Sequence, residues 1–111
     1  MFKLDTQGAV HVVHGDAPLN IDSVEEMDKL LGECLGKGLP RIVIDLKRIP
    51  LIDSAGLNLL LDFKDRCQRS GGDVKLAAPN RLCEDILFMT GLDQSIEVFE
   101  EMLRAVGSFV R

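Results

Sequence analysis

The sequence predicts an α/β fold, a mixed and largely parallel sheet of about five strands with four helices packed on it. Three observations carry this. Short β-branched runs alternate with apolar stripes at helical spacing, in the order β-β-α-β-α-β-α-β-α. "RIVIDL" (41–46) is a nearly continuous apolar run, as in strands buried on both faces of a sheet. Glycine and proline punctuate the boundaries between these segments. With 111 residues and no linker, repeat or low-complexity stretch, residues 1–111 read as one domain. A chain of this length buries about 60–70 % of its unfolded surface, enough for one core without staples.

Taken in order, "FKLDT" (2–6) and "AVHVVHG" (9–15) are strands joined at Gln7-Gly8 in a hairpin. "DAPLNID" (16–22) is a loop. "SVEE" (23–26) has the form of a capping box, with the Ser23 hydroxyl accepting from the Glu26 amide and the Glu26 carboxylate reaching back. Met27, Leu30, Leu31 and Cys34 then mark the first helix, which Gly36 and Gly38 end. After the 41–46 strand, Leu57, Leu60, Leu61 and Cys67 mark a second helix, closed by Gly71-Gly72. "DVKLAA" (73–78) alternates as a strand that Pro79 breaks. Asn80 is the expected N-cap of a third helix carrying Leu82, Cys83, Ile86, Leu87 and Met89, and Gly91 ends it. "SIEVF" (95–99) is the last strand. "EEMLRAVGSFV" (100–110) is a terminal helix with Met102, Leu103 and Val106 on one face, weakened by Gly107.

Composition narrows the function. The net charge is −5 and no basic cluster exceeds "LKR" (46–48), which argues against nucleic-acid partners and anionic membrane surfaces. No Trp or Tyr is present to stack on bases or sugars. Cys34, Cys67 and Cys83 are odd in number and widely spaced, which argues against a disulfide framework or a structural zinc site; each falls on an apolar helical stripe, as buried small hydrophobes do. The pattern fits a reducing cytosol, and a cytoplasmic location is expected. Neither a signal peptide nor an 18-residue apolar run appears, so no membrane span is expected.

The chemistry-bearing residues converge on "LIDSAGLNLLL" (51–61), where Asp53 and Ser54 lie between two apolar segments. A serine-hydrolase elbow needs glycine two residues before the nucleophile, and Asp53-Ser54 has none. The only histidines, His11 and His14, lie three apart on a strand and so face opposite ways. An aspartic-protease half-site reads Asp-Ser/Thr-Gly, but Ala55 intervenes before Gly56 and a leucine-rich helix follows. Asp5, His11, His14 and Asp16 match no metal-ligand spacing. "SGGD" (70–73) follows a helix where a phosphate-cradling loop would precede one, so it is a helix end. No enzyme, metal or cofactor is expected. Ser54 keeps two readings. As a cap it satisfies an orphan amide, worth about 1 kcal/mol, although Asp53 could serve there instead. As a phosphorylation switch it would bring about −1.5 to −2 charges to a helix N-terminus, whose dipole tolerates an anion.

From about Ala9 to Phe109 the chain resembles a STAS domain, and in particular the bacterial anti-sigma factor antagonists. "IVIDLKRIPLIDSAGLNLLL" (42–61) is similar to the family's strand, loop and Asp-Ser-Ser/Thr-Gly-Leu-Gly stretch, and the likeness continues through "GGDVKLAAPN" (71–80) and "LFMTGLDQSIEVFE" (87–100). The resemblance implies that Ser54 is the phosphoacceptor, with Asp53 and Gly56 matching the flanking aspartate and helix-opening glycine. It implies a binding module with no catalysis of its own. Its partner would be an anti-sigma factor with serine kinase activity, bound while Ser54 is unphosphorylated so that a sigma factor is freed; a serine phosphatase would reset the switch. Asp53, Ser54, Ala55, Gly56 and Asn58 are the expected partner-binding residues. Three departures stand out: Ala55 replaces the usual second hydroxyl residue, Asn58 stands where Gly is common, and "GDAPLN" (15–20) only loosely matches the family's Gly-x-Leu-Asp loop. The alternative is a STAS adaptor or scaffold subunit of a transporter or stress-signalling complex, in which Ser54 is only a helix cap.

Overall fold

In a computed structural model of the chain, which describes residues 1–36 and 38–109, five strands form one sheet in the order β1-β2-β3-β4-β5. The strands are β1 (Phe2–Gln7), β2 (Val10–Gly15), β3 (Arg41–Asp45), β4 (Asp73–Ala77) and β5 (Val98–Phe99). The hairpin pair β1–β2 is antiparallel and every later pair is parallel. The helices are α1 (Val24–Leu35), α2 (Ser54–Arg69), α3 (Arg81–Met89) and α4 (Met102–Gly107). The mixed, largely parallel sheet with four helices is the predicted architecture. Val110, the last residue of the predicted terminal helix, lies outside the described residues.

Burial divides at the sheet. Ile42 and Ile44 of β3, Val74 and Leu76 of β4 and Val13 of β2 point to the face that α1, α2 and α3 cover. The opposite face holds a smaller cluster of Val10, Val12, Val43 and Ala77 under Ala105 of α4. Beside it Lys75 is buried, its ammonium donating to Ser108 Oγ at 2.7 Å and standing 4.2 Å from the Phe109 ring. The lysine stem fills apolar space while its charge is satisfied at the tip.

Several local expectations shift. The hairpin turn is Gly8-Ala9, with Gly8 at φ 64°, because Gln7 pairs with Val10 inside the sheet. The last strand shrinks to Val98–Phe99, since the Ser95 and Ile96 amides both donate to Leu92 C=O behind a 3-10 turn at Leu92–Gln94. The α2 face is rotated: Gly56, Leu59, Leu60, Phe63 and Cys67 are buried, whereas Leu61 is exposed. Cys83 and Leu87 anchor α3, and Leu82 and Met89 face solvent. In α4 the expected Met102 and Val106 pack inward beside the buried Ala105, whereas Leu103 is exposed. Cys34, Cys67 and Cys83 are all buried, as expected.

The predicted capping box does not form. Ser23 Oγ donates to Pro18 C=O at 2.6 Å and accepts from Asn20 N–H at 3.1 Å, while the Glu26 carboxylate accepts from Phe2 N–H at 3.0 Å. Both side chains that would have closed the box are drawn off, Ser23 by the 16–22 loop and Glu26 by β1.

Candidate functional site at the start of α2

The segment between β3 and α2 is fixed from several sides. Ile49 and Ile52 are buried in the main core. Asn80, which caps α3 by accepting from Cys83 N–H at 2.7 Å, also donates from its amide to Ile49 C=O at 3.3 Å. The 16–22 loop meets the segment in a short parallel bridge, Leu19 to Ile52. Leu19 N–H donates to Leu51 C=O at 2.9 Å, and Asp53 N–H donates to Leu19 C=O at 3.1 Å. The main chain is therefore held up to the residue before Ser54.

Asp53 is the N-cap of α2. Its backbone is extended (φ −99°, ψ −172°), and its Oδ1 accepts from Ala55 N–H at 2.9 Å and Gly56 N–H at 3.1 Å. One carboxylate thus satisfies two of the amides that a helix start leaves open, and its charge suits the positive end of the dipole. Of the two residues the sequence offered as the cap, the structure uses Asp53. Ser54 is the first helical residue, is exposed, and has no side-chain hydrogen bond among the described residues.

The other expected site residues divide by helical phase. Asn58, one turn beyond Ser54, is also exposed, and Leu61 and Asp65 continue the same outward stripe. Ala55 is half-buried. Gly56 is buried, and a side chain there would overlap the Leu19 carbonyl oxygen and come within 2.9 Å of Leu19 Cγ. The absent Cβ lets the 16–22 loop close on the helix, so Gly56 seats α2 and does not face outward.

Sequence reasoning missed Leu19 and its neighbours. Leu19 is wholly buried and carries the backbone contacts to Leu51 and Asp53, whereas Ile21 is 70 % exposed two residues later. A lone leucine between Pro18 and Asn20 in a polar loop was the available signal. Leu51, also exposed, lies two residues before Asp53.

Of the other residues weighed for chemistry, Asp5, His14 and Asp16 line one surface pocket, and His11 is not among its lining residues. His14 Nδ1 is 2.8 Å from Asp45 Oδ2 on the α4 side of the sheet, and His11 is on the other face. No group of metal-ligating side chains comes together among the described residues. Burial, with the neighbouring Asp73 adding to it, pushes the Cys67 thiol up to about 12, so it carries no thiolate near neutrality. No helix among the described residues is long and apolar enough to cross a membrane.

The family model of the STAS domain matches residues 1–105. The chain belongs to the STAS domain family. A Thermotoga maritima protein named "Putative anti-sigma factor antagonist" is 27 % identical over 107 residues, covering 96 % of this STAS chain and 95 % of its own. A Thermotoga maritima crystal structure of the same description superposes with a TM-score of 0.92 at 26 % identity, over 99 % of this chain and 95 % of the other. The Bacillus cell fate determinant SpoIIAA in its phosphorylated form shares the fold, with a TM-score of 0.73 at 19 % identity over the whole of both chains.

Proposed function

We propose that this STAS domain is an anti-sigma factor antagonist that works by partner switching at Ser54. In the unphosphorylated form the surface around Ser54 and Asn58 binds an anti-sigma factor that is also an ATP-dependent serine kinase, and a sigma factor is freed. Transfer of a phosphoryl group to Ser54 Oγ ends the binding, and a serine phosphatase restores it. The protein itself contributes no catalysis; it is the kinase's substrate and ligand. The relatives from Thermotoga maritima carry the anti-sigma factor antagonist description along nearly the whole chain.

The observation that carries this reading is the division of labour at the start of α2. Asp53 does the capping, which leaves the Ser54 hydroxyl exposed and unengaged at the tip of a rigidly seated helix. A hydroxyl that holds nothing can be esterified without unfolding the domain. The added charge, about −2, changes what the surface repels while the helix dipole offsets part of its local cost. At a desolvated interface about 2.7 kcal/mol of repulsion and lost contact is already a hundredfold in affinity.

The test uses wild type and Ser54→Asp as parallel baits in an extract of the source organism, followed by incubation of the captured proteins with ATP. The expected result is a histidine-kinase-like ATPase held by wild type, lost with Ser54→Asp, and able to place phosphate on residue 54 of wild type. Transporter or scaffold subunits held equally by both baits, with residue 54 unmodified, would replace this reading with the adaptor one.

A further inference from the structure

The β5 edge of the sheet carries a second surface. Between α3 and β5 runs a groove of about 370 Å³ with Phe88, Val98 and Phe99 as apolar lining and Glu84, Asp93 and Glu100 as charged lining. Phe88 is 71 % exposed and Met89 beside it 82 %. Open aromatic surface at a concave site is what a docked side chain covers.

The charge of the groove has one sign. No Lys, Arg or His lines it among the described residues. Asp85, also on its wall, is met by the exposed Arg81 at 3.3 Å, but Glu84, Asp93 and Glu100 have no ion pair among the described residues. Lys75, 5.7 Å from the Phe99 ring, is already engaged by Ser108 and by Glu97. One oxygen of Asp93, Oδ1, is moreover cut off from solvent and has no hydrogen-bond donor among the described residues. A carboxylate in that state gains from a nearby cation more than a solvated one does.

We propose that this groove docks a polypeptide segment in which Lys or Arg residues flank one apolar anchor side chain. The anchor packs against Phe88, Val98 and Phe99, and the cations meet Glu84, Asp93 and Glu100. The same carboxylates repel nucleic acid and anionic lipid, which leaves a cationic polypeptide as the occupant. Electrostatic matching of this kind speeds association and makes it salt-sensitive. None of the lining residues comes from α2 or the 16–22 loop, so the groove shares no residue with the Ser54 surface.

Selection from a random dodecapeptide library displayed on phage, against the whole chain, tests this directly. Enriched peptides should pair an aromatic or large aliphatic residue with Lys or Arg. As synthetic peptides they should shift the amide resonances of Phe88, Asp93, Val98 and Glu100 in a nitrogen-15 correlation spectrum. Their affinity should fall about tenfold or more for the double variant Glu84→Lys, Glu100→Lys and for Phe88→Ser, and should be unchanged for Ser54→Asp. The substituted side chains are exposed, and a wild-type-like melting curve checks that each variant is folded. Enrichment of acidic or uncharged peptides, resonance shifts confined to α2, equal binding to the charge-reversed variant, or no enrichment at all would each overturn the proposal.

Discussion

Two serines stand at the starts of two helices, and the structure treats them in opposite ways. Ser23, before α1, is buried, and its hydroxyl is tied to Pro18 C=O and Asn20 N–H inside the 16–22 loop. Ser54, opening α2, is exposed with its hydroxyl bonded to none of the described residues, because Asp53 caps the helix in its place. In the sequence both look like helix-start residues, and the more convincing capping motif belongs to Ser23. A hydroxyl wired into the interior is a structural part, and one left out of every internal bond is free for chemistry with another molecule. The loop that employs Ser23 also pins the chain before Ser54 through Leu19, so the fixed serine helps to present the free one.

The severest way to break this arrangement is Gly56→Ala. The new methyl would overlap the Leu19 carbonyl oxygen, and that oxygen cannot withdraw without losing its bond from Asp53 N–H. Strain of this kind at a backbone contact should destabilise the domain by about 3 kcal/mol. Urea denaturation checks it, and a loss below about 1 kcal/mol would mean that the loop and the helix can part freely.

Ser23→Ala comes next. It leaves a part-buried carbonyl and a part-buried amide without their shared partner, an expected loss of about 2 kcal/mol by the same denaturation measurement. Had Ser23 been a solvent-facing cap, the cost would be nearer 1 kcal/mol and Glu26→Ala would add to it on the same helix end. Here Glu26→Ala should instead loosen β1, whose Phe2 N–H the carboxylate accepts. Hydrogen exchange of the Phe2 amide should rise in that variant while the first turn of α1 keeps its protection.

Why one serine was legible and the other was not follows from what each depends on. The strands, the helices and their order repeat a pattern visible at short range, so β3's apolar run and the stripe Met27, Leu31 and Cys34 could be read directly. Asp53 and Ser54 were legible as a pair, since a carboxylate and a hydroxyl before a leucine-rich helix must do something. Their roles were not, because capping is decided by backbone angles that put Asp53, not Ser54, in the extended conformation. The failed box at Ser23 has a longer-range cause: Glu26 is claimed by Phe2, 24 residues away. The rotated face of α2 is similar. Leu61 fits a helical stripe, but Phe63 and the small Gly56 set the face that meets the sheet and the Leu19 loop.

Asp53→Ala should cost about 1 kcal/mol, since two amides at the start of α2 lose their acceptor and water reaches them in its place. Its value as a test lies in the contrast with Ser54→Ala. If Ser54 has no internal role, that change should alter stability by less than about 0.5 kcal/mol. A fall of a full kcal/mol for Ser54→Ala, with Asp53→Ala silent, would return the cap to the serine and remove the physical basis for a switch there. The expected order is the reverse, and it should hold for Ser54→Asp as well. The new carboxylate gains from the helix dipole and is repelled by Asp53 beside it, two effects of similar size and opposite sign. A domain that melts within a few degrees of wild type while carrying that charge would make any loss of partner binding by Ser54→Asp a property of the surface alone.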